Sequence, residues 1–242
     1  MVTIKVLIPN SGMDRATLAA RESMLSRAVS KDARIFADCI PCGPDAIESN
    51  TDEVLAGPEL IKMAIRAQQE GYDAVVIYCF SDLAIDAVRE NVHIPVIGPG
   101  EESVGLAGKL TNRFSVITTT AANVSRTCRR LMRNPICLEK MADVVALDIP
   151  VLALRQDADA TKSYLETRVR EQIENRRVDG IILGCLGMAE YGDEIEQKYG
   201  IRIIDPSRVA VSQAEIYARN HMTHSRVAYP LYRKGKQYGL FD

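Results

Sequence analysis

Two cysteines share one kind of context. "YDAVVIYCFSD" runs from Tyr72 to Asp82, and "VDGIILGCLGM" runs from Val178 to Met188. Each stretch has an Asp, a small residue, an apolar run and then a Cys, with Cys185 placed 106 residues after Cys79. A lone cysteine at a strand end is ordinarily a small buried hydrophobe. A matched pair points to chemistry. If a helix follows each strand, the thiol lies at a helix N-terminus, where free N–H groups and partial positive charge favour thiolate. The same N–H groups, with nearby hydroxyls, can hold a carboxylate or an enolate oxygen. Two opposed thiols suit one reaction well. One thiolate removes a proton from a carbon beside a carbonyl, and the other thiol delivers a proton to the opposite face. That is racemisation without a cofactor.

Such thiols must be positioned by strands. Short apolar runs at 4–9, 34–40, 73–79 and 94–98 are followed by a second set at 114–119, 143–149, 179–184 and 201–205. They are mostly continuous rather than alternating, as expected for strands covered on both faces. Helical patterns near 14–30, 58–70, 82–91, 101–111, 120–133, 158–176, 189–199 and 207–222 lie between them. Gly71 is in position to close one helix, and Asp157 and Asp159 to cap another. The alternation predicts an α/β fold with a doubly wound parallel sheet. Val6 precedes Val116 by 110 residues, Cys79 precedes Cys185 by 106, and Pro99 precedes Pro206 by 107. These near-constant offsets suggest duplication of a (βα)4 half. The first domain is expected to comprise 1–100 plus 207–242, and the second 101–206. Ligands in such sheets bind beyond the carboxyl ends of the strands. Asn10-Ser11-Gly12, Cys79 to Asp82, Thr118-Thr119-Thr120 and Gly184 to Gly187 all fall there.

Composition narrows the function. The chain has 242 residues, 47% hydrophobic and 26% charged, with a net charge of −2. Nothing in that balance suggests a nucleic-acid or membrane-surface protein. No apolar run approaches the roughly 20 residues of a membrane helix. The N-terminal "MVTIKVLIPNSG" reads as a first strand, not a signal peptide. A cytoplasmic protein with reduced thiols is expected.

Competing signals are weaker. "CIPCG" at 39–43 is a C-x-x-C, but Gly43-Pro44 follows and delays the helix that would activate Cys39. Cys128 and Cys137 lie far from it, and three histidines complete no obvious four-ligand zinc site. His93, His221 and His224 fall away from strand carboxyl ends and are expected on the surface. A Ser-His-Asp hydrolase therefore has no support. No phosphate-cradling glycine motif follows a strand, and no lysine sits where a pyridoxal phosphate anchor would be expected. Neither a cofactor nor a metal is expected. Arg126, Arg129, Arg130 and Arg133 read as a solvated helix face. The tail "THSRVAYPLYRKGKQYGLFD", with Arg233, Lys234 and Lys236, reads either as a subunit-docking arm or as a loosely ordered terminus.

The chain resembles the aspartate/glutamate/hydantoin racemase superfamily, and within it the hydantoin racemase branch. The resemblance rests on "GPDAIES" at 43–49, "DAVVIYCFSDLAIDAVRE" at 73–90, "PVIGPGEES" at 95–103, "VITTTAANV" at 116–124 and "DGIILGCLGMAE" at 179–190. It implies an α/β fold of two pseudo-symmetric, doubly wound parallel-sheet domains with an active cleft between them, in which Cys79 and Cys185 act as acid and base. It also implies that Asn10, Ser81 and Thr118 bind substrate, with Thr119 and Gly187 as neighbours. The implied substrate is a small molecule, a 5-substituted hydantoin or allantoin, handled by a homo-oligomer. Relatives often read "NPNT" where this chain has "IPNSG", and Tyr78 stands where a small residue is expected. Alternatives are therefore an Asp/Glu racemase or a maleate-type cis-trans isomerase, in which one Cys attacks an alkene. Arylmalonate decarboxylases keep only one of the two cysteines and fit less well.

Overall fold

The computed structural model describes residues 1–233. Its first sheet is built from β1 (Val2–Ile8), β2 (Ala33–Cys39), β3 (Ala74–Ile77) and β4 (Val96–Ile97). Between them run α1 (Arg15–Ser26), α2 (Asn50–Gln69) and α3 (Ile85–Arg89). The second sheet contains β5 (Phe114–Thr118), β6 (Met141–Ala146), β7 (Gly180–Leu183) and β8 (Arg202–Ile204). Its helices are α5 (Ala121–Leu131), α6 (Pro135–Lys140), α7 (Ala158–Arg176) and α8 (Asp193–Tyr199). Two further helices, α4 (Pro99–Leu110) and α9 (Pro206–Arg219), follow β4 and β8.

The sheets have the same topology, β2-β1-β3-β4 and β6-β5-β7-β8, and every pairing is parallel. The chain divides into two compact units, Met1–Pro99 with the chain from Ala210 onward, and Gly100–Val209. Register reproduces the sequence offsets. Val6 pairs with Val76 and Val76 with Ile97 in the first sheet; Val116 pairs with Ile182 and Ile182 with Ile204 in the second. These partners stand 110, 106 and 107 residues apart. Central strands β3, β5 and β7 are buried along their whole length, whereas edge strand β2 alternates buried and exposed positions. Parallel strands with helices on both faces have no solvated side. The first core gathers Leu7, Leu60, Ala64, Val75 and Ile77; the second gathers Ile117, Leu165, Val169, Ile181 and Leu183.

Helix ends follow local chemistry. Asp157 caps α7 through the Ala160 N–H at 2.9 Å. Gly71 adopts φ +85° just past α2, and the Tyr72 N–H reaches back to the Ala67 carbonyl. That is the left-handed glycine termination expected at this position. The onset of α2 differs from expectation. It begins at Asn50, eight residues before Pro58, because Ser49 and Asp52 form a capping box. Pro58 removes one backbone bond inside the helix. The buried stripe Ala56, Leu60 and Ala64 holds the helix across it.

The tail is described as far as residue 233. Its described part folds back on its own unit. His224 Nε2 lies 2.9 Å from the Val96 nitrogen and 3.0 Å from the Val96 oxygen. Arg226 donates to the carbonyls of Arg89 and Val92, and the Tyr232 N–H donates to Glu90 O. His224 is therefore packed against β4, not set on the surface, because the tail supplies its cover; His93 and His221 are exposed as expected. Lys234 and Lys236 lie outside the described residues. The C-terminal part of α9 is fastened to the same unit: Ser212 Oγ donates to Ala28 O, and Glu215 and Arg219 bond Ser30.

Candidate active site

In each sheet the direction of winding reverses between two neighbouring strands, β1 and β3 in the first and β5 and β7 in the second. The crevice outside the carboxyl ends at that point is the usual ligand site of an open α/β sheet. Asn10 and Cys79 follow β1 and β3; Thr118 ends β5 and Cys185 follows β7.

In the first unit the chain leaves β3 sharply. The Cys79 N–H donates to Ile77 O at 2.7 Å, and the Asp82 N–H donates to Cys79 O at 3.0 Å. The turn brings Ser81 Oγ to 3.3 Å from the half-buried Cys79 sulfur. Asp82 and Ala84 take φ of 52° and 56°, a conformation that ordinary residues adopt only when their surroundings impose it. One such constraint is visible. A Cβ on Gly98 would fall 2.7 Å from Asp82 Cγ, so the carboxyl group occupies the space that the glycine leaves. Asn10 Nδ2 donates to Asp45 O and Ser11 Oγ to Gly43 O, both at 2.8 Å. Those bonds tie the loop after β1 to the loop after β2. Tyr78 and Phe80 are both buried.

In the second unit Gly184 lets β7 finish hard against β5. Its N–H donates to Ile117 O at 2.7 Å, and a Cβ there would meet the same oxygen at 2.8 Å. Cys185 then caps a single 3-10 turn, Leu186–Met188, and its sulfur accepts from the Gly187 N–H at 3.4 Å. Thr118 and Thr119 are buried at the end of β5. Thr119 Oγ1 accepts from Asn123 Nδ2 at 2.8 Å, and Asn123 Oδ1 accepts from Arg126 Nη2 at 2.8 Å. A guanidinium can only donate, so the chain of bonds has one polarity. The Thr119 hydroxyl hydrogen is thereby turned away from Asn123.

Expectation and structure differ on the helices. Neither sulfur sits at the start of a long α-helix. Five residues separate Cys79 from the five-residue α3, and the segment after Cys185 is a 3-10 turn. Local turns take over the role expected of helix ends: residue i+2, Ser81 or Gly187, supplies the group at the sulfur. Arg126, expected on a solvated helix face, instead donates to Asn123; Asn123 itself, and Arg155, which bonds the carbonyls of Gly187 and Ala189, were missed as site neighbours. Asn123 stands four residues after Thr119, a helical spacing that would have found it.

A model of the Asp/Glu/hydantoin racemase family matches residues 4–214. A hydantoin racemase of Pseudomonas sp. (strain NS671) is 31% identical over 97% of this chain and 93% of its own. The hydantoin racemase of Paenarthrobacter aurescens is 28% identical over 88% of this chain and 90% of its own. Among solved structures, an allantoin racemase from Klebsiella pneumoniae superposes with a TM-score of 0.90 at 25% identity, covering 97% of this chain and 95% of that one. This chain belongs to the Asp/Glu/hydantoin racemase family.

The remaining cysteines of this racemase-family member have different surroundings. Cys39 is half-buried against Met13 O, and Cys42 is exposed; both are free thiols. Burial pushes the Cys137 thiol up to about 11, which suppresses thiolate near neutral pH. Among the described residues no group of three or more His, Cys, Asp or Glu side chains could hold a metal ion. No helix among them is long and apolar enough to cross a membrane.

Proposed function

We propose that this protein is a cofactor-independent racemase of 5-substituted hydantoins or allantoin, with Cys79 and Cys185 as its acid–base pair. One observation carries the reading. Two cysteines in the same sequence context follow the third strand of both sheets, each with residue i+2 at its sulfur. They do so in a chain whose relatives include proteins named hydantoin racemase.

The chemistry needs one thiolate and one thiol. The thiolate takes the proton from the carbon beside the carbonyl, and the electron pair moves onto the carbonyl oxygen. Hydroxyl and amide donors such as Thr118, Thr119 and Asn10 are suited to hold that oxygen. The opposite thiol then gives its proton to the other face, and the negative charge ends on its sulfur. The two sulfurs have exchanged roles, ready for the mirror-image substrate. A C–H flanked by a ring carbonyl and nitrogen is a stronger carbon acid than that of a free amino acid. This favours the ring substrates.

Solvent deuterium exchange tests the proposal. With hydantoins, allantoin, aspartate and glutamate as a panel, the protein should incorporate deuterium into both enantiomers of a ring substrate while racemising it. Cys79→Ser and Cys185→Ser should each abolish racemisation, and each should leave exchange in one enantiomer only. Racemisation at the parent rate by both variants sinks the two-thiol mechanism. Turnover confined to the acidic amino acids sinks the ring substrates.

A further inference from the structure

We propose that Arg155 is a positioning residue for Cys185, fixing the turn that aims the thiol. The inference rests on the reading that Cys185 takes part in proton transfer.

Arg155 lies in the loop between β6 and α7, about thirty residues before the turn that it holds. Its Nε donates to Gly187 O and its Nη2 to Ala189 O, each at 3.1 Å. The planar fork of a guanidinium can bridge two carbonyls at a fixed spacing, which an ammonium does less well. The guanidinium also lies 5.3 Å from the centre of the Tyr191 ring. Leu154, the residue before it, makes two contacts on the same segment. Leu154 O accepts from the Tyr191 hydroxyl at 3.2 Å, and its side chain packs on Gly187, where a Cβ would meet Leu154 Cδ1 at 2.7 Å. Residues 154–155 thus grip 187–191 through two carbonyls, a ring, a hydroxyl and a glycine face.

The grip bears on the sulfur because Gly187 is bonded on both sides. Its N–H points at Cys185 Sγ, and its own carbonyl is taken by Arg155. Without Arg155 the peptide on the C-terminal side of Gly187 can rotate, and the turn that directs the N–H at sulfur loosens. An N–H aimed at sulfur is a better partner for a thiolate than for a thiol, so loosening it disfavours the charged form. These bonds of Arg155 reach the turn after Cys185 and not the turn after Cys79. There the sulfur meets the Ser81 hydroxyl instead. The effect should therefore be confined to one of the two thiols.

Peptide-resolved alkylation by iodoacetamide reads this directly. Arg155→Met, Arg155→Lys and the parent would be compared for the rates at Cys185 and Cys79 in the same sample. In Arg155→Met the Cys185 rate at neutral pH should fall roughly three- to tenfold, less than the full loss of one hydrogen bond to a charged group because the turn loosens rather than opens. Cys79 should be unchanged, and Arg155→Lys should recover part of the loss. An unchanged Cys185 rate overturns the proposal whatever the activity; so does an equal change at both cysteines, which would mean general loosening.

Racemisation gives a second signature. The two enantiomers are equally stable, so kcat/KM must remain equal in the two directions. A weakened Cys185 must then show as deuterium entering one enantiomer ahead of its inversion, with inversion slowed. Inversion that is slowed with no such one-sided exchange also overturns the role. If the parent racemises no substrate but the Cys185 rate responds as described, the racemase reading fails while the assignment of Arg155 to the Cys185 turn stands.

Discussion

Cys185 and Gly187 form a closed turn in which the Gly187 N–H points at the Cys185 sulfur across 3.4 Å. The glycine is required there by packing. A Cβ would fall 2.7 Å from Cδ1 of the fully buried Leu154, so the leucine end must shift within the core. Gly187→Ala should cost about 1–3 kcal/mol of stability and remove most racemisation. Leu154→Ala alone should cost about 2–5 kcal/mol as a core truncation, and the two changes together should cost less than their sum, because the two sites share one space. Thermal unfolding and chiral assays on the four proteins of the cycle measure the coupling. Strict additivity would show that the clash is not what matters.

The first unit predicts its own steric requirement. Gly98 leaves room for the Asp82 carboxyl and for Ile85, whose Cδ1 would lie 2.6 Å from an added Cβ. Gly98→Ala should expel one of them and displace the turn that follows Cys79, at a cost of roughly 2–3 kcal/mol. Asp82 itself has a φ of 52°. Asp82→Asn tolerates that conformation, whereas Asp82→Val does not. Valine should therefore be far more damaging than asparagine in both unfolding midpoint and turnover. Equal effects would mean that backbone conformation is not the constraint.

The repeated motif carries two jobs, and only one of them is chemical. Its Asp lies at the amino end of the strand and its Cys at the carboxyl end. Asp73 accepts from the Thr3 N–H at 2.7 Å and from its hydroxyl at 2.8 Å. Asp179 accepts from the N–H groups of Asn112 and Arg113. Both clip the start of the neighbouring central strand. Burial pushes the Asp179 carboxyl up, but those N–H groups outweigh it and hold it below the usual aspartate value. Stability from Asp179 is thus full above the unfolded carboxyl range and is lost as pH falls through the lower folded value. Asp179→Ala should cost about 1–3 kcal/mol and flatten the acid limb of the stability curve, with kcat nearly unchanged for the protein that remains folded. A large fall in kcat would place Asp179 in the chemistry.

Much of this fold is legible in the chain because the register repeats. Val6, Cys79 and Pro99 recur at offsets that the strand pairings reproduce, and continuous apolar runs mark β3, β5 and β7. Parallel strands buried on both faces leave little freedom in which residues are apolar. The onset of α2 was hidden because Pro58 is a residue favoured in the first helical turn, while the stronger signal, Ser49 with Asp52, lay upstream. The cysteines and their i+2 partners could be found from local spacing. Arg155 could not. Its bonds to Gly187 and Ala189 join a loop to a turn more than thirty residues away, and no periodicity encodes that contact.

The tail supplies a pH dependence that has nothing to do with the cysteines. His224 Nε2 accepts from the Val96 N–H at 2.9 Å, which requires a lone pair there and hence a neutral ring. Burial, followed by the Arg89 guanidinium, pushes His224 down to about 4, with Arg226 adding to the effect. The Val96 carbonyl, 3.0 Å from Nε2, and the Asp86 carboxylate act in the opposite direction, and Tyr229 presents its ring edge-on at 5.7 Å. The sign follows from linkage. Below the ordinary histidine value of about 6.5 the unfolded chain binds a proton that the folded chain refuses, so stability falls with pH until about 4. Above that window the group contributes no slope. Discounted for the half of the side chain that solvent still screens, the loss across the window is about 1–2 kcal/mol. Urea midpoints for the parent and His224→Asn at pH 7, 5.5 and 4.5 should therefore diverge at pH 7 and converge at pH 4.5. Carboxylates titrate in both proteins, so the difference isolates the histidine. Parallel curves would mean that His224 is protonated in the folded protein, and that the tail is not held to Val96 through a neutral ring.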